Sequence, residues 1–128
     1  MKRGGILHPD LNQLLASTGH TDYFTICDRG FPIPAGHHRI DLALTDDIPT
    51  VIDVVRLVHA DFVIDRILIA EEAIRFSAGY VDALRAALPG IRIEPVSHLE
   101  LKRLSTSGRA TVRTGDTTPY ANIIVVSG

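Results

Sequence analysis

Short apolar runs alternate along this chain with segments in which apolar residues recur at helical spacing. The apolar runs predict strands at Tyr23–Asp28, Ile40–Thr45, the centre of Phe62–Ala70, Ile91–Val96, Ala110–Val112 and Ile123–Val126. The helical spacing, with capping residues and glycine or proline stops, predicts helices at Leu7–Leu15, Thr50–His59, Ser77–Leu88 and Ser97–Leu104. Strands that alternate with helices favour an α/β fold in which helices cover a sheet.

The length and composition are those of one domain. A chain of 128 residues can bury about two-thirds of its unfolded surface, and no repeat or linker divides it, so we expect a single domain over residues 1–128. The formal net charge of -2 gives no reason to expect nucleic acid or a membrane surface as a partner. No apolar segment approaches the ~20 residues of a membrane span. The single Cys27 excludes an internal disulfide and, with no secretory signal expected, favours a reducing compartment such as the cytoplasm.

The segment Arg113–Asn122, hereafter the polar loop, joins the last two predicted strands. It carries a guanidinium, three threonine hydroxyls, a carboxylate, a phenol and a carboxamide, which is more hydrogen-bonding capacity than a turn requires. If the last strand begins at Tyr120, then Tyr120 and Asn122 point to the same face, because side chains alternate along a strand. Such a pair could bind a small polyhydroxylated ligand.

Two histidines and one aspartate at the ends of predicted elements are further candidates. His20 follows the helix-ending Gly19 and either transfers protons or is an ordinary surface or capping residue. Asp28 closes the first strand, where a carboxylate can bind sugar hydroxyls, orient a histidine or simply form a turn. His98 begins a helix, which favours a neutral ring that donates from one nitrogen and accepts at the other.

The sequence gives no indication of a metal or a cofactor. His37 and His38 are adjacent, so on a strand they would face opposite ways and make a poor pair of ligands. There is no phosphate-binding or dinucleotide-binding glycine motif. Cys27 is interpreted as a small core residue. The pair Glu71–Glu72 could be two acid/base carboxylates but is interpreted as a solvated strand end.

Three separated segments together resemble the family that contains the D-ribose pyranases and the L-fucose mutarotases. The segments are Gly19–Asp22, Asp28–Pro34 and Arg113–Asn122, and they occur in the family's order over nearly the whole chain. The Pro-Ile-Pro sequence at 32–34 and the Thr-Pro-Tyr-Ala-Asn sequence at 118–122 favour the ribose branch. Arg29 departs from the family pattern, because a small residue is usual beside the aspartate.

The resemblance implies a fold, an activity and a site. The fold would be a mixed sheet of about six strands between helical layers, in a cytoplasmic protein that forms rings, often decamers of two pentamers, with sites near subunit contacts. The activity would be an isomerisation that needs no cofactor. The substrate would be a monosaccharide, ribose, which is interconverted between its pyranose and furanose forms. The residue that matches the general acid is His20. Those that match the sugar contacts are Asp28, His98, Tyr120, Ala121 through its backbone, and Asn122.

Other functions remain open at this point. The chain could be a mutarotase for fucose or another monosaccharide, or a sugar-binding protein without catalytic activity. A metal-dependent enzyme that uses His37 or His38 together with His98 is a third alternative.

Overall fold

The computed structural model describes all residues from Met1 to Gly128. It contains six strands and five helices. The strands are β1 Tyr23–Cys27, β2 Arg39–Asp41, β3 Ile64–Ala70, β4 Arg92–Val96, β5 Thr111–Arg113 and β6 Ile123–Ser127. The helices are α1 Pro9–Ser17, α2 Val51–Asp61, α3 Glu71–Phe76, α4 Ala78–Ala87 and α5 His98–Ser105.

All six strands form one mixed sheet in the order β2-β5-β1-β6-β3-β4. The pairs β1–β5, β2–β5 and β3–β4 are parallel, whereas β6 runs antiparallel to both of its neighbours, β1 and β3. The carboxyl ends of five strands and the amino end of β6 therefore meet at one edge, which we call the carboxyl edge. The predicted α/β fold with a mixed sheet of six strands is confirmed.

Helices cover both faces of the sheet. The face on which α2 packs consists of apolar residues with no exposed surface. These are Phe24, Ile26, Ile67, Ile69, Ile123 and Val125. Phe24 packs edge-on against Phe62, which follows α2, with the ring centroids 5.9 Å apart. The α5 helix lies on the other face, where the Tyr23 hydroxyl donates to the carbonyl of Leu104 at 3.0 Å. The apolar core thus holds the carboxyl edge rigid.

Local sequence explains where α2 begins. Thr50 and Asp53 form a reciprocal capping box, in which each side chain accepts the backbone amide of the other residue at 3.1 and 2.9 Å. Four valines at helical spacing then bury one side of the helix, namely Val51, Val54, Val55 and Val58. None of the helices is long and apolar enough to cross a membrane.

Two elements differ from the sequence prediction. The second strand stops at Asp41, because the Asp41 carboxylate accepts the amide of Ala43 at 3.1 Å and turns the chain away from the sheet. Glu71 and Glu72 form the first turn of the short helix α3, so the interpretation of this pair as a solvated strand end was wrong. Acidic residues stabilise the first turn of a helix through its dipole.

Candidate active site

Five of the six predicted site residues meet at the carboxyl edge. Asp28 follows β1, His98 follows β4 as the first residue of α5, and the three residues 120–122 directly precede β6. The six-stranded sheet order brings the ends of these strands together although they are distant in sequence. This is the edge at which ligands bind in open α/β sheets.

His20 lies at the opposite edge of the sheet. It is exposed and lies in the turn Gly19–Asp22 before β1, where the amide of Thr21 donates to the carbonyl of Ser127 at the carboxyl end of β6. A strand of five residues spans roughly 17 Å, so His20 does not reach the cluster of its own chain. Its turn is ordered, because the Asp22 carboxylate accepts the amide of Gly19 at 2.9 Å.

Asn122 and Asp28 are held side by side. The Asn122 side chain is almost completely buried, and its carbonyl oxygen accepts the amide of Asp28 at 2.9 Å. The carboxylate of half-buried Asp28 accepts the amide of Gly30 at 3.0 Å, so it also forms the turn that the sequence left open as an alternative. Burial raises the pKa of Asp28, although the hydrogen bonds from Gly30 and Asn122 partly offset this. The pair places a carboxylate and a carboxamide side by side at the carboxyl edge.

Aromatic rings form a wall beside this pair. The Tyr120 ring stacks on Phe76 with centroids 5.9 Å apart, and the edge of His98 meets Tyr120 at 5.1 Å. Phe31 also packs edge-on with His98, with the ring centroids 6.2 Å apart. Rings of this kind offer an apolar surface with polar groups at their edges, which suits the mixed character of a sugar.

The backbone at Tyr120 corrects one step of the sequence argument. The last strand begins at Ile123, and Tyr120 has a positive φ of 61° in the left-handed region, so Tyr120 and Asn122 do not alternate along a strand. Instead, the amide of Asn122 donates to the carbonyl of Tyr120 at 2.8 Å and closes a tight turn. The amide of Ala121, a residue with no exposed surface, donates to the carbonyl of Thr118 at 3.2 Å.

His98 presents an unpaired ring nitrogen. The Ser97 hydroxyl accepts the amide of Glu100 at 3.0 Å and caps α5, while the amide of His98 donates to the Glu72 carboxylate at 2.9 Å. Nδ1 of the ring is buried and has no hydrogen-bond partner in the chain. Burial is the main cause that lowers the pKa of His98, with Lys102 acting in the same direction. This agrees with the expected neutral ring.

Sequence reasoning missed the residue that organises the polar loop. Asp116 is buried, and its two carboxylate oxygens accept the amides of Val51 and Thr118, both at 2.9 Å. The Thr114 hydroxyl donates to the carbonyl of Cys27 at 2.8 Å and ties the loop to β1. The excess of polar groups in the loop was the available signal, but it did not show which of them face inward.

Comparison with known proteins decides the family. Residues 1–128 match the RbsD / FucU transport protein family. The chain belongs to this family. A D-ribose pyranase of Variovorax paradoxus is 49% identical over 133 residues, with 100% of this chain and 98% of the relative covered. A D-ribose pyranase of Paracidovorax citrulli is 44% identical, with the same coverage. The predicted family resemblance is confirmed.

Solved structures agree with this membership in the RbsD / FucU family. The structure of Bacillus subtilis RbsD complexed with D-ribose superimposes with a TM-score of 0.94 at 35% identity, covering 100% of this chain and 98% of that one. The fucose mutarotase of Streptococcus pneumoniae in complex with L-fucose gives a TM-score of 0.78 at 20% identity, covering 95% and 93%. The second likeness concerns the fold alone.

Other polar residues that the sequence singled out lie outside the cluster. His37 and His38 belong to the loop before β2, and no three His, Cys, Asp or Glu side chains converge as a metal site would require. Arg29 is exposed and pairs with Asp46 at 2.7 Å. Cys27 is buried in the core, as expected.

Titration of His98 should be visible in the pH dependence of stability. Because the pKa of His98 in the folded state lies below its ordinary value of 6.5, the unfolded chain takes up the proton first as the pH falls. The free energy of unfolding of the wild type should therefore decrease relative to His98→Gln as the pH falls through about 6.5. Urea unfolding between about pH 8 and about pH 5 measures this difference.

The matched control for losing an imidazole is His38→Gln, because the His38 side chain is exposed. A difference between the wild type and His98→Gln that stays constant over the pH range would contradict the lowered pKa of His98.

Proposed function

We propose that this protein interconverts the pyranose and furanose forms of D-ribose. The observation that carries the proposal is the convergence of Asp28, His98, Tyr120 and Asn122 at the carboxyl edge, although the hydrogen-bonded pair Asp28 and Asn122 is separated by 94 positions. The names of the curated relatives at 49% and 44% identity support ribose as the substrate. The protein is then a cofactor-free isomerase.

The reaction requires only proton transfers and positioning. The hemiacetal opens when the ring oxygen gains a proton and the anomeric hydroxyl loses one, and it closes again through a different hydroxyl. A neutral His98 can accept a hydrogen bond at Nδ1, and the Asp28 carboxylate can accept from sugar hydroxyls. The Tyr120 and Asn122 side chains would fix the remaining hydroxyls, and His20 would donate the proton to the ring oxygen.

A complete site then needs a second copy of the chain. His20 is exposed in an ordered turn at the edge opposite to its own cluster, so the His20 that reaches a sugar comes from a neighbour. Large apolar side chains are exposed on the elements that flank the cluster, with Phe76 61% and Leu99 79% accessible. Such surfaces suit subunit contacts. We propose a homodecamer of two pentameric rings, located in the cytoplasm.

Saturation-transfer NMR on a panel of sugars tests the function. The protein should accelerate exchange between the pyranose and furanose signals of D-ribose well above the rate in buffer, and it should have a smaller effect on L-fucose. Binding of ribose without faster exchange would indicate a sugar-binding protein instead. Faster exchange of fucose alone would indicate a mutarotase for that sugar.

The carboxamide of Asn122 should contribute strongly to affinity. Asn122→Ala removes a buried polar group beside Asp28, so we expect ribose to bind about tenfold to a hundredfold more weakly. The variant also leaves the amide of Asp28 without its acceptor, so some stability should be lost. Isothermal titration calorimetry measures the affinity, and thermal unfolding monitors the fold. Wild-type affinity in a folded Asn122→Ala protein would remove Asn122 from the site.

A further inference from the structure

The first turn of α4 is tied to the polar loop by an unusual contact. Ser77 occupies the position before the helix, where a serine hydroxyl ordinarily accepts a helix amide. Here the Ser77 hydroxyl instead donates to the carbonyl of Pro119 at 2.6 Å, directly before Tyr120. Tyr80 follows three positions later, and residues three apart share one side of a helix. Tyr80 is therefore placed on the side of α4 that meets the polar loop.

Tyr80 carries a buried hydroxyl that makes no hydrogen bond. Its ring packs against the core, and its oxygen is buried without a partner in the chain. Burial raises the pKa of Tyr80, and the nearby carboxylates of Asp116 and Asp28 act in the same direction. The hydroxyl is thus a neutral donor within electrostatic range of both carboxylates. Native proteins rarely leave such a donor unsatisfied.

Three of the four oxygens of the Asp116 and Asp28 carboxylates already accept backbone amides. Both oxygens of Asp116 accept backbone amides, from Val51 and Thr118, and one oxygen of Asp28 accepts the amide of Gly30. A second buried polar atom without a partner is Nδ1 of His98, whose ring lies within electrostatic range of Asp28. Two unsatisfied polar groups near one carboxylate match a ligand that carries several hydroxyls on adjacent carbons.

We propose that Tyr80 is a further sugar-contacting residue, whose hydroxyl donates to a hydroxyl oxygen of the same monosaccharide that Asp28 binds. The proposal rests on the function proposed above and extends its site from the polar loop to α4. A buried donor that requires a hydroxyl on the ligand discriminates against sugars that lack it, because the donor then stays unpaired. Tyr80 would accordingly help to determine which sugars are accepted.

Calorimetric titration of Tyr80→Phe with D-ribose tests this role. We expect the variant to bind ribose about threefold to tenfold more weakly than the wild type. Its thermal midpoint without sugar should be unchanged or higher, because the substitution removes an unsatisfied buried hydroxyl. Tyr23→Phe is the matched control, since the Tyr23 hydroxyl donates to the carbonyl of Leu104 at 3.0 Å. The control should lower the thermal midpoint and keep wild-type affinity.

Singly deoxygenated riboses identify the hydroxyl that Tyr80 binds. One of these analogues should bind the wild type more weakly than ribose does but bind Tyr80→Phe as well as ribose does. The proposal is overturned if Tyr80→Phe binds ribose like the wild type, or if every analogue loses the same factor in both proteins. If the wild type binds no ribose at all, the proposed function itself fails. If the wild type binds ribose and Tyr80→Phe binds it equally well, only the role of Tyr80 fails.

Discussion

Replacing His20 with alanine is expected to slow the interconversion of the ribose ring forms by about 10²–10⁴-fold. The loss follows from removing the proposed general acid, while the residues proposed to bind the sugar stay in place at the carboxyl edge. Ribose should therefore still bind. Saturation-transfer NMR measures the exchange rate, and calorimetry measures the affinity. The exposed His38, in the loop before β2, provides the control variant His38→Ala, which should exchange ribose like the wild type.

The same variant tests whether two chains share one site. At a ribose concentration that the Asn122→Ala variant does not saturate, His20→Ala and Asn122→Ala chains should each be far less active alone than the wild type, because one lacks the proposed general acid and the other binds ribose weakly. Refolding the two together should restore part of the activity, since some sites then combine an intact His20 from one chain with an intact Asn122 from another. A mixture no more active than the sum of its components would contradict a shared site, and unchanged exchange in His20→Ala would remove His20 from the mechanism.

A substitution of Gly115 with alanine should destabilise the fold by about 3 kcal/mol or more. A Cβ atom at this buried position would clash with the backbone carbonyl oxygen of Thr45 and lie 3.1 Å from that of Ile48. Backbone atoms cannot rotate away as the end of a side chain can. The Gly115 amide also donates to the carbonyl of Pro49 at 3.0 Å, and its carbonyl accepts the amide of Asp47 at 2.7 Å. Urea unfolding measures the loss.

Gly79 supplies the matched control for this substitution. It lies in α4, and a Cβ atom there would meet no other atom within 4 Å. Because alanine has a higher helix propensity than glycine, Gly79→Ala should leave the stability unchanged or raise it by up to about 1 kcal/mol. Wild-type stability in Gly115→Ala would show that the segment Thr45–Pro49 can move away from the polar loop, contrary to the packing described above.

Most of the secondary structure could be predicted, because the apolar spacing of long elements reflects burial directly. The helix predicted from Thr50 begins at Val51, and the strand predicted at Ile123–Val126 extends to Ser127. The short helix α3 was missed, since six residues leave too little periodicity to read. The early end of β2 was also missed, because it depends on one local hydrogen bond of Asp41.

Five of the six residues singled out from the sequence meet at the carboxyl edge, but their geometry was only partly predictable. The polar loop stood out because its polar groups exceed what a turn needs. The conformation of Tyr120 did not follow from the sequence, because a positive φ in a residue other than glycine is maintained by its surroundings. The importance of Asp116 was equally hidden, since its partner Val51 is 65 positions away.

The sequence by itself determined the order of the elements, the apolar core, the family and the chemical groups available for a sugar. These depend on local spacing and residue type. Only the tertiary structure decided which groups share a site. Because β6 runs antiparallel between β1 and β3, its amino end brings Asn122 next to Asp28, while its carboxyl end lies beside the turn that carries His20. The direction of one strand thus separates the proposed proton donor from the proposed sugar contacts of its own chain.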